Sequence, residues 1–256
     1  MSDRWAAILR GEHPLRFAQR AGRRAFSIAP GSPRCKFCNA PFTGLTSGAF
    51  KLLGYRQSRK NSHLCARCVE SAPEGGAVVP LAILFADVRG YTSLTEQRGT
   101  MEATALVNRF YEVASKAFLP LGGLLGQIAG DEVMVLFVPG LAGHSYREKA
   151  VKAGASLLRA AGYGNGNSNW VDVGAGIASG EEFVGNVGGG GFKDFTAIGD
   201  VTNTAARLTS AAQAGEIVLD AATHASVAGD YPAAERELIR FKGKEAEVEA
   251  FRLRLG

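Results

Sequence analysis

The sequence predicts an α+β protein: a mixed sheet with helices against one face, in the order βαββαβ, preceded by a small segment stapled by metal. Three observations carry that expectation. From Val78 onward, apolar strand-like runs alternate with helical patterns. All four cysteines fall in two C-x2-C pairs before that point. Charge is also divided: residues 1–72 hold 13 Lys/Arg against 3 Asp/Glu, and residues 73–256 hold 16 against 21.

Pro80 to Val88 is an apolar run that reads as a buried strand. Met101 to Phe118 places Leu106, Phe110, Val113 and Phe118 broadly on one side of a helix. Gly122 to Ile128 and Glu132 to Val138 read as a hairpin turning at Ala129-Gly130-Asp131. Tyr146 to Ala161 is a second helix. Trp170 to Ala178 is a strand in which Val171, Val173, Ala175 and Ile177 alternate, and Val201 to Ala212 is a third helix. Asp200 is expected to cap that helix, and Gly188 to Gly191 to form a hairpin tip.

With 256 residues, 46% of them hydrophobic, the chain can bury a core in one or two domains. Ala77 to Ala86, an uncharged, largely apolar run, has ten residues and contains Pro80, far short of the roughly 20 that span a bilayer. No signal-peptide pattern opens the sequence, so the expected location is the cytoplasm. The composition divides the chain into a basic amphipathic arm (1–30), a four-cysteine zinc-ribbon-like segment (31–72) and a catalytic domain (78–256). The arm, Trp5 to Phe26, carries five arginines and is interrupted at Pro14. A basic helix of this kind can lie on a membrane or nucleic acid, or pack on its own protein.

Cys35-x2-Cys38 and Cys65-x2-Cys68 are separated by 26 residues. Two such knuckles offer the four thiolates that tetrahedral zinc requires, and a reducing compartment disfavours disulfides. One structural zinc per chain is the expectation; an iron–sulfur cluster uses the same ligands and stays open. His63 reads as a loop residue. Zinc ribbons often bind nucleic acid, but Phe37, Phe42, Phe50 and Tyr55 are few enough to be used by the segment's own core. A folding staple is therefore favoured, and nucleic acid is not the expected partner.

Three stretches carry chemistry. Leu84-Phe85-Ala86-Asp87-Val88-Arg89-Gly90-Tyr91-Thr92 puts a carboxylate at a strand end, followed by a turn whose N–H groups can face a phosphate. Asp131 stands at a hairpin tip, in Ala129-Gly130-Asp131-Glu132. Asn203 and Arg207, in the run from Thr196 to Leu208, are four apart and share a helix side. Each alone is commonplace. Together, with GIASGEEFVGNVG and GEIVLDAAT following in order, they resemble the class III adenylate/guanylate cyclase family over residues 78–255.

The resemblance implies a ferredoxin-like βαββαβ sandwich, the palm of that family, and a nucleotidyl cyclase, a phosphorus–oxygen lyase that takes a nucleoside triphosphate. Asp87 and Asp131 match the family's metal aspartates, with Val88 adding its carbonyl, for two Mg2+ or Mn2+ per site. Arg207 matches the arginine that steadies charge at the α-phosphate, and Asn203 the amide that orients the ribose. Lys242 matches a lysine on the terminal phosphates, and Gly90, Tyr91 and Thr92 belong to the phosphate turn. In the family the aspartates and the Asn/Arg helix come from different protomers, which implies a homodimer with two shared sites. Gln127 and Thr196 stand at the base-reading positions, and Gln127 departs from the lysine usual in adenylate-forming members. Two neutral groups imply ATP as main substrate with weak base selectivity; a pyrimidine cyclase of antiphage signalling is the alternative. Rivals of another kind are a catalytically weak cyclase-fold sensor and a zinc-ribbon nucleic-acid-binding protein. A diguanylate cyclase is disfavoured because its GGDEF-type motif is missing.

Overall fold

The computed structural model describes residues 6–7, 9–12, 26, 28–36, 38–58, 62, 64–69, 75–164, 166, 168–189, 192–240 and 247–255. Its elements are α1 (Ser47–Leu52), α2 (Ala66–Val69), β1 (Gly75–Val88), α3 (Tyr91–Arg98) and α4 (Thr100–Phe118). Then come β2 (Leu124–Ala129), β3 (Glu132–Phe137), α5 (Pro139–Ala142), α6 (Tyr146–Ala161), β4 (Val173–Gly189) and β5 (Phe192–Ile198). The chain ends with α7 (Asp200–Ala211), β6 (Glu216–Asp220), α8 (Ala221–Ala225), β7 (Glu235–Ile239) and β8 (Val248–Arg254). The strands form one sheet in the order β2-β3-β1-β4-β6-β8-β7, with β5 paired to β4 beside this path. Its first four strands, joined through α4 and α6, make the expected βαββαβ sandwich. The chain separates into two compact units, Met1–Val79 with Phe183–Thr196, and Pro80–Glu182 with Ala197–Gly256.

In the larger unit, side chains alternate across the sheet, and one face belongs to α4 and α6. Ala103, Val107, Phe110, Ala114 and Phe118 repeat every three or four residues along α4 and are all buried. Phe110, Ala114 and Phe118 join Leu84, Ala86, Val133, Val135, Ala175, Ile177 and Ile217 in one core. Gly154 lets α6 lie close to that sheet: a Cβ there would sit 3.2 Å from Ile217 Cδ1. The expectation of helices on one face holds for α4 and α6, but α7 lies across the other. Gly176, between the inward-facing Ala175 and Ile177, has no room for a Cβ, which would fall 2.1 Å from the Thr209 nitrogen of α7.

Several element boundaries differ from expectation for local reasons. Strand β1 starts at Gly75 and runs through Pro80, and β4 runs from Val173 to Gly189, well past Ala178. Strand β5 was implied only by the hairpin tip expected at Gly188 to Gly191, without bounds of its own. Helix α3 was read as a turn; it buries no residue, so it has no apolar stripe to reveal it. Asp200 is not the cap of α7: it is the first helical residue, Gly199 precedes it in the cap position, and no side chain of the cap residue closes the helix. The arm is described at residues 6–7, 9–12, 26 and 28–30; 6–7, 9–10, 26 and 28 are helical, and Leu9 is buried. Pro14 lies outside the described residues.

In the smaller unit, Phe42 is buried and Phe26, Phe50 and Tyr55 form an edge-to-face cluster with centroids 5.0–6.0 Å apart. Phe42, Phe50 and Tyr55 thus pack within the small unit, and Phe37 lies outside the described residues. No described helix is long and apolar enough to cross a membrane.

The far edge of the sheet is closed by charge. Glu216 is buried and pairs with Arg252 and, at 2.9 Å, with Arg254; Arg252 also meets Glu237. Burial acts to raise the Glu216 pKa, but the Gln213 N–H and the two guanidinium groups outweigh it and hold it below the usual carboxylate range. Glu216 therefore stabilises the fold above the ordinary glutamate range, and that stability is lost as pH falls through its lowered folded value. Glu216→Ala leaves the half-buried Arg252 with Glu237 and the Ala211 carbonyl alone and should cost about 1–3 kcal/mol in denaturant unfolding at pH 7. The gap between variant and wild type should narrow in acid, and a gap that is constant with pH would contradict this account.

Candidate active site

Strand β1 carries its apolar residues through the core and delivers Asp87 at its end. Antiparallel pairing with β3 sets Asp87 opposite Glu132, so both carboxylates share a face. The Val88 N–H donates to the Asp131 carbonyl at 3.2 Å, which fixes the hairpin tip beside the end of β1. At that tip Gly130 takes φ 60°, and the Tyr111 hydroxyl donates to its carbonyl. The structure thus brings Asp87, Val88 and Asp131 together, as the sequence implied, and adds Glu132.

Asp87 is pushed up to about 6, chiefly by burial, with Arg89 opposing and Asp131 adding to the rise. Glu132 is raised by burial and then by Asp87 and Asp131. Asp87 Oδ1 is sealed from water and accepts no hydrogen bond, although the Arg89 guanidinium lies against it. Hard oxygen donors on mutually repelling, partly buried carboxylates suit a divalent cation. Arg89 was not singled out from sequence. Its guanidinium also donates to the Thr209 carbonyl at 2.7 Å, near the C-terminal end of α7, and lies over Gly174, where a Cβ would meet Nε at 2.5 Å.

Gly90, with φ 69°, precedes α3, so the N–H groups of Tyr91 and Thr92 belong to a helix N-terminus and are not in a simple turn. Such groups have no intrahelical acceptor and can face an anion. On α7, Ala205, Leu208 and Thr209 are buried against the sheet. Asn203 and Arg207 fall on the opposite side; Asn203 is exposed and Arg207 half-buried.

A β-bulge lies immediately before Gln127 on β2. The pairing passes from Leu125 with Val135 to Gln127 with Met134, skipping Gly126. Gln127 thereby shares a face with Met134, Phe85 and Asp87, the face on which α7 lies. Thr196 is half-buried on β5, in the smaller unit. Lys242 lies outside the described residues.

In the smaller unit the sulfur atoms of Cys35, Cys38, Cys65 and Cys68 all lie within 4.8 Å of one another, and none is in a disulfide. Cys38 and Cys65 are 3.6 Å apart, close to the roughly 3.8 Å between thiolates on a tetrahedral zinc with 2.3 Å bonds. The Cys65 N–H points at Cys35 Sγ at 3.3 Å. Hydrogen bonds from Cys38, then Cys65 and Cys68, hold Cys35 well below the usual thiol range against the effect of burial.

A family model described as the adenylate and guanylate cyclase catalytic domain matches residues 77–254. The chain belongs to that family. An adenylate cyclase of Anabaena cylindrica is 31% identical over 137 residues, covering 50% of this chain and 26% of that protein. The terminal-differentiation specific adenylate cyclase of Dictyostelium discoideum is 28% identical over 130 residues, 50% of this chain and 6% of that one. This chain therefore spans about a quarter or less of the length of these curated relatives. Among solved structures, the adenylyl cyclase CyaB from P. aeruginosa superposes with TM-score 0.58 at 29% identity, over 68% of this chain and 93% of that one. The guanylyl cyclase Cya2 gives 0.63 at 25% identity, over 72% and 100%.

The electrostatics at Asp87 can be checked directly. In metal-free protein its carboxyl carbon should titrate near the value of about 6. Arg89→Met removes the opposing cation, so the midpoint should move higher. A carboxyl NMR titration that shows no movement would mean the ion pair is not formed in solution.

Proposed function

We propose that this chain converts a nucleoside triphosphate into a 3′,5′-cyclic nucleotide and pyrophosphate, in sites completed by a second copy of itself. The carrying observation is the division of functional groups within one chain. Asp87 and Asp131 stand together at one strand end, while Asn203 and Arg207 project from the outer side of α7, away from the sheet. A head-to-tail pair of chains offers each set the other, and two equivalent sites follow from the symmetry.

Asp87, Asp131 and the Val88 carbonyl are the residues to hold two Mg2+ or Mn2+ ions, which when bound ease loss of the ribose 3′-proton and offset triphosphate charge. The 3′-oxygen then bonds to the α-phosphorus as the bond to the β-phosphate oxygen breaks, and pyrophosphate leaves. Arg207 meets the charge that grows on the α-phosphate, and Asn203 fixes the ribose, so both act by prior placement. The N–H groups at Gly90, Tyr91 and Thr92 face phosphate oxygens, and Lys242 is assigned to the terminal phosphates by family resemblance. Gln127 and Thr196 read the base. An amide and a hydroxyl can each donate or accept, and neither leaves an unpaired charge against a wrong base, so discrimination is worth about 1–3 kcal/mol. ATP is the main substrate on this reading, with measurable GTP turnover.

Purified protein supplied with Mn2+ and each of four nucleoside triphosphates should yield cyclic AMP foremost. Asp87→Ala and Arg207→Ala should each be inactive alone. Mixed in equal amounts they should regain about a quarter of wild-type activity, since half the dimers are mixed and each of those has one intact site. A mixture as inactive as its parents refutes the shared site.

The four cysteines hold one structural zinc on the same reading, supported by their mutual spacing and the N–H pointing at Cys35. Metal analysis of protein purified without added metal should give about one zinc per chain. Iron with broad visible absorbance would instead identify an iron–sulfur cluster.

A further inference from the structure

Helix α7 is held at its start by a residue that the chemistry above does not use. Glu182 on β4 is only 4% exposed. Its Oε2 accepts the Thr202 N–H at 2.8 Å, and its Oε1 accepts the Thr202 hydroxyl at 2.6 Å. Thr202 is the third residue of α7, so its N–H is among those a helix leaves without an intrahelical acceptor. The carboxylate thus supplies from a neighbouring strand the closure that the cap residue, Gly199, cannot.

Two glycines make the approach possible. Gly199 has φ 156°, and a Cβ there would lie 2.9 Å from Glu182 Cγ and 3.0 Å from Cδ. Gly180, on the same strand as Glu182, faces the second helical residue: its Cβ would meet Val201 Cγ2 at 2.8 Å. A carboxylate taken out of water is tolerated only when hydrogen-bonded, and a helix N-terminus adds partial positive charge to the two bonds present. The residue after Thr202 is Asn203, and Arg207 stands one turn later on the same side.

We propose that Glu182 is a positioning residue: by clamping the first turn of α7 through Thr202, it sets where Asn203 and Arg207 stand. The inference rests on the roles given above to those two residues. Glu182 touches no substrate and works through the helix. Loss of the clamp lets the first turn fray and shifts groups whose contribution is geometric, while the metal aspartates keep their place. An error of about 1 Å in such groups is worth up to 100-fold in rate.

The full chain carrying Glu182→Ala should therefore lose roughly 10- to 100-fold in kcat with little change in KM. Glu182→Gln keeps an acceptor for the Thr202 N–H and should fall between the two, and it takes the place of the alanine variant should that fail to fold. The decisive readout is pairing. Mixed with Asp87→Ala, the Glu182 variant should regain activity, because one site then combines its sound aspartates with an undamaged α7. Mixed with Arg207→Ala it should gain nothing, because both sites then contain a faulty α7. A variant damaged throughout would be rescued by neither, and that result overturns the proposal, as does wild-type kcat. The mixture of Asp87→Ala with Arg207→Ala serves as control, and its silence would indict the shared-site reading instead. Hydrogen–deuterium exchange decides in that event: amides of the first turn of α7 should exchange faster in the variant while those of α4 do not. Unchanged exchange at α7 refutes the clamp.

Discussion

Arg89 is the group on which the geometry of the site depends. Its guanidinium stands against Asp87 and donates to the carbonyl of Thr209, so one side chain ties the end of β1 to the far end of α7. Thr209 answers from the helix, its hydroxyl donating to the carbonyl of Phe85 at 3.3 Å and to that of Ala205 at 2.9 Å. The contact is short because Gly176 lets the helix backbone come down on β4 and Gly174 leaves space for the guanidinium. A larger residue at either glycine would lift the helix or evict the arginine.

The same face of the sheet is where charge has been allowed inside. On the α4 and α6 side the core is aliphatic and aromatic throughout, with Phe110, Phe118 and Phe137 among its largest fully buried side chains. On the other side stand Asp87, Glu132, Arg89, Glu182 and Thr209, each placed beside an N–H, a carbonyl or an opposite charge. Both sides bury apolar side chains, Leu81, Ile83, Met134 and Leu136 among those on the α7 side, and that side carries in addition the polar groups whose desolvation shifts their titration.

What the sequence made legible was short in range. The C-x2-C pairs, the aspartate at the end of an apolar strand, the hairpin acid and the Asn/Arg spacing each sit within a few residues of their own signal. The βαββαβ order followed from periodicity, since α4, α6 and the core strands have strong apolar patterns. Helix α3 escaped because it buries nothing, and α7 was placed on the wrong side because a period does not say which face of a sheet it will meet. Arg89 and Glu182 were invisible for a different reason: their partners lie 120 and 20 residues away, and only the folded chain brings them together. Asp200 drew the capping role by adjacency, when the carboxylate beneath the helix came from another strand.

The bulge at Gly126 has a consequence for how this family's specificity can be redesigned. The skipped residue shifts the parity of β2, so that Gln127 falls in line with Met134 and not with Val133, whose side chain belongs to the aliphatic core. Were Gly126 instead paired opposite Met134, Gln127 would turn onto the aliphatic face with Val133 and Ile128 would take its place, whereas deleting the glycine removes the bulge and leaves Gln127 opposite Met134. On the proposed reading, which side chain meets the base is therefore decided by frame before it is decided by chemistry. Counting back from Asp131 reaches Gln127 through unbroken pairing, whereas counting forward along β2 crosses the bulge and lands one residue off.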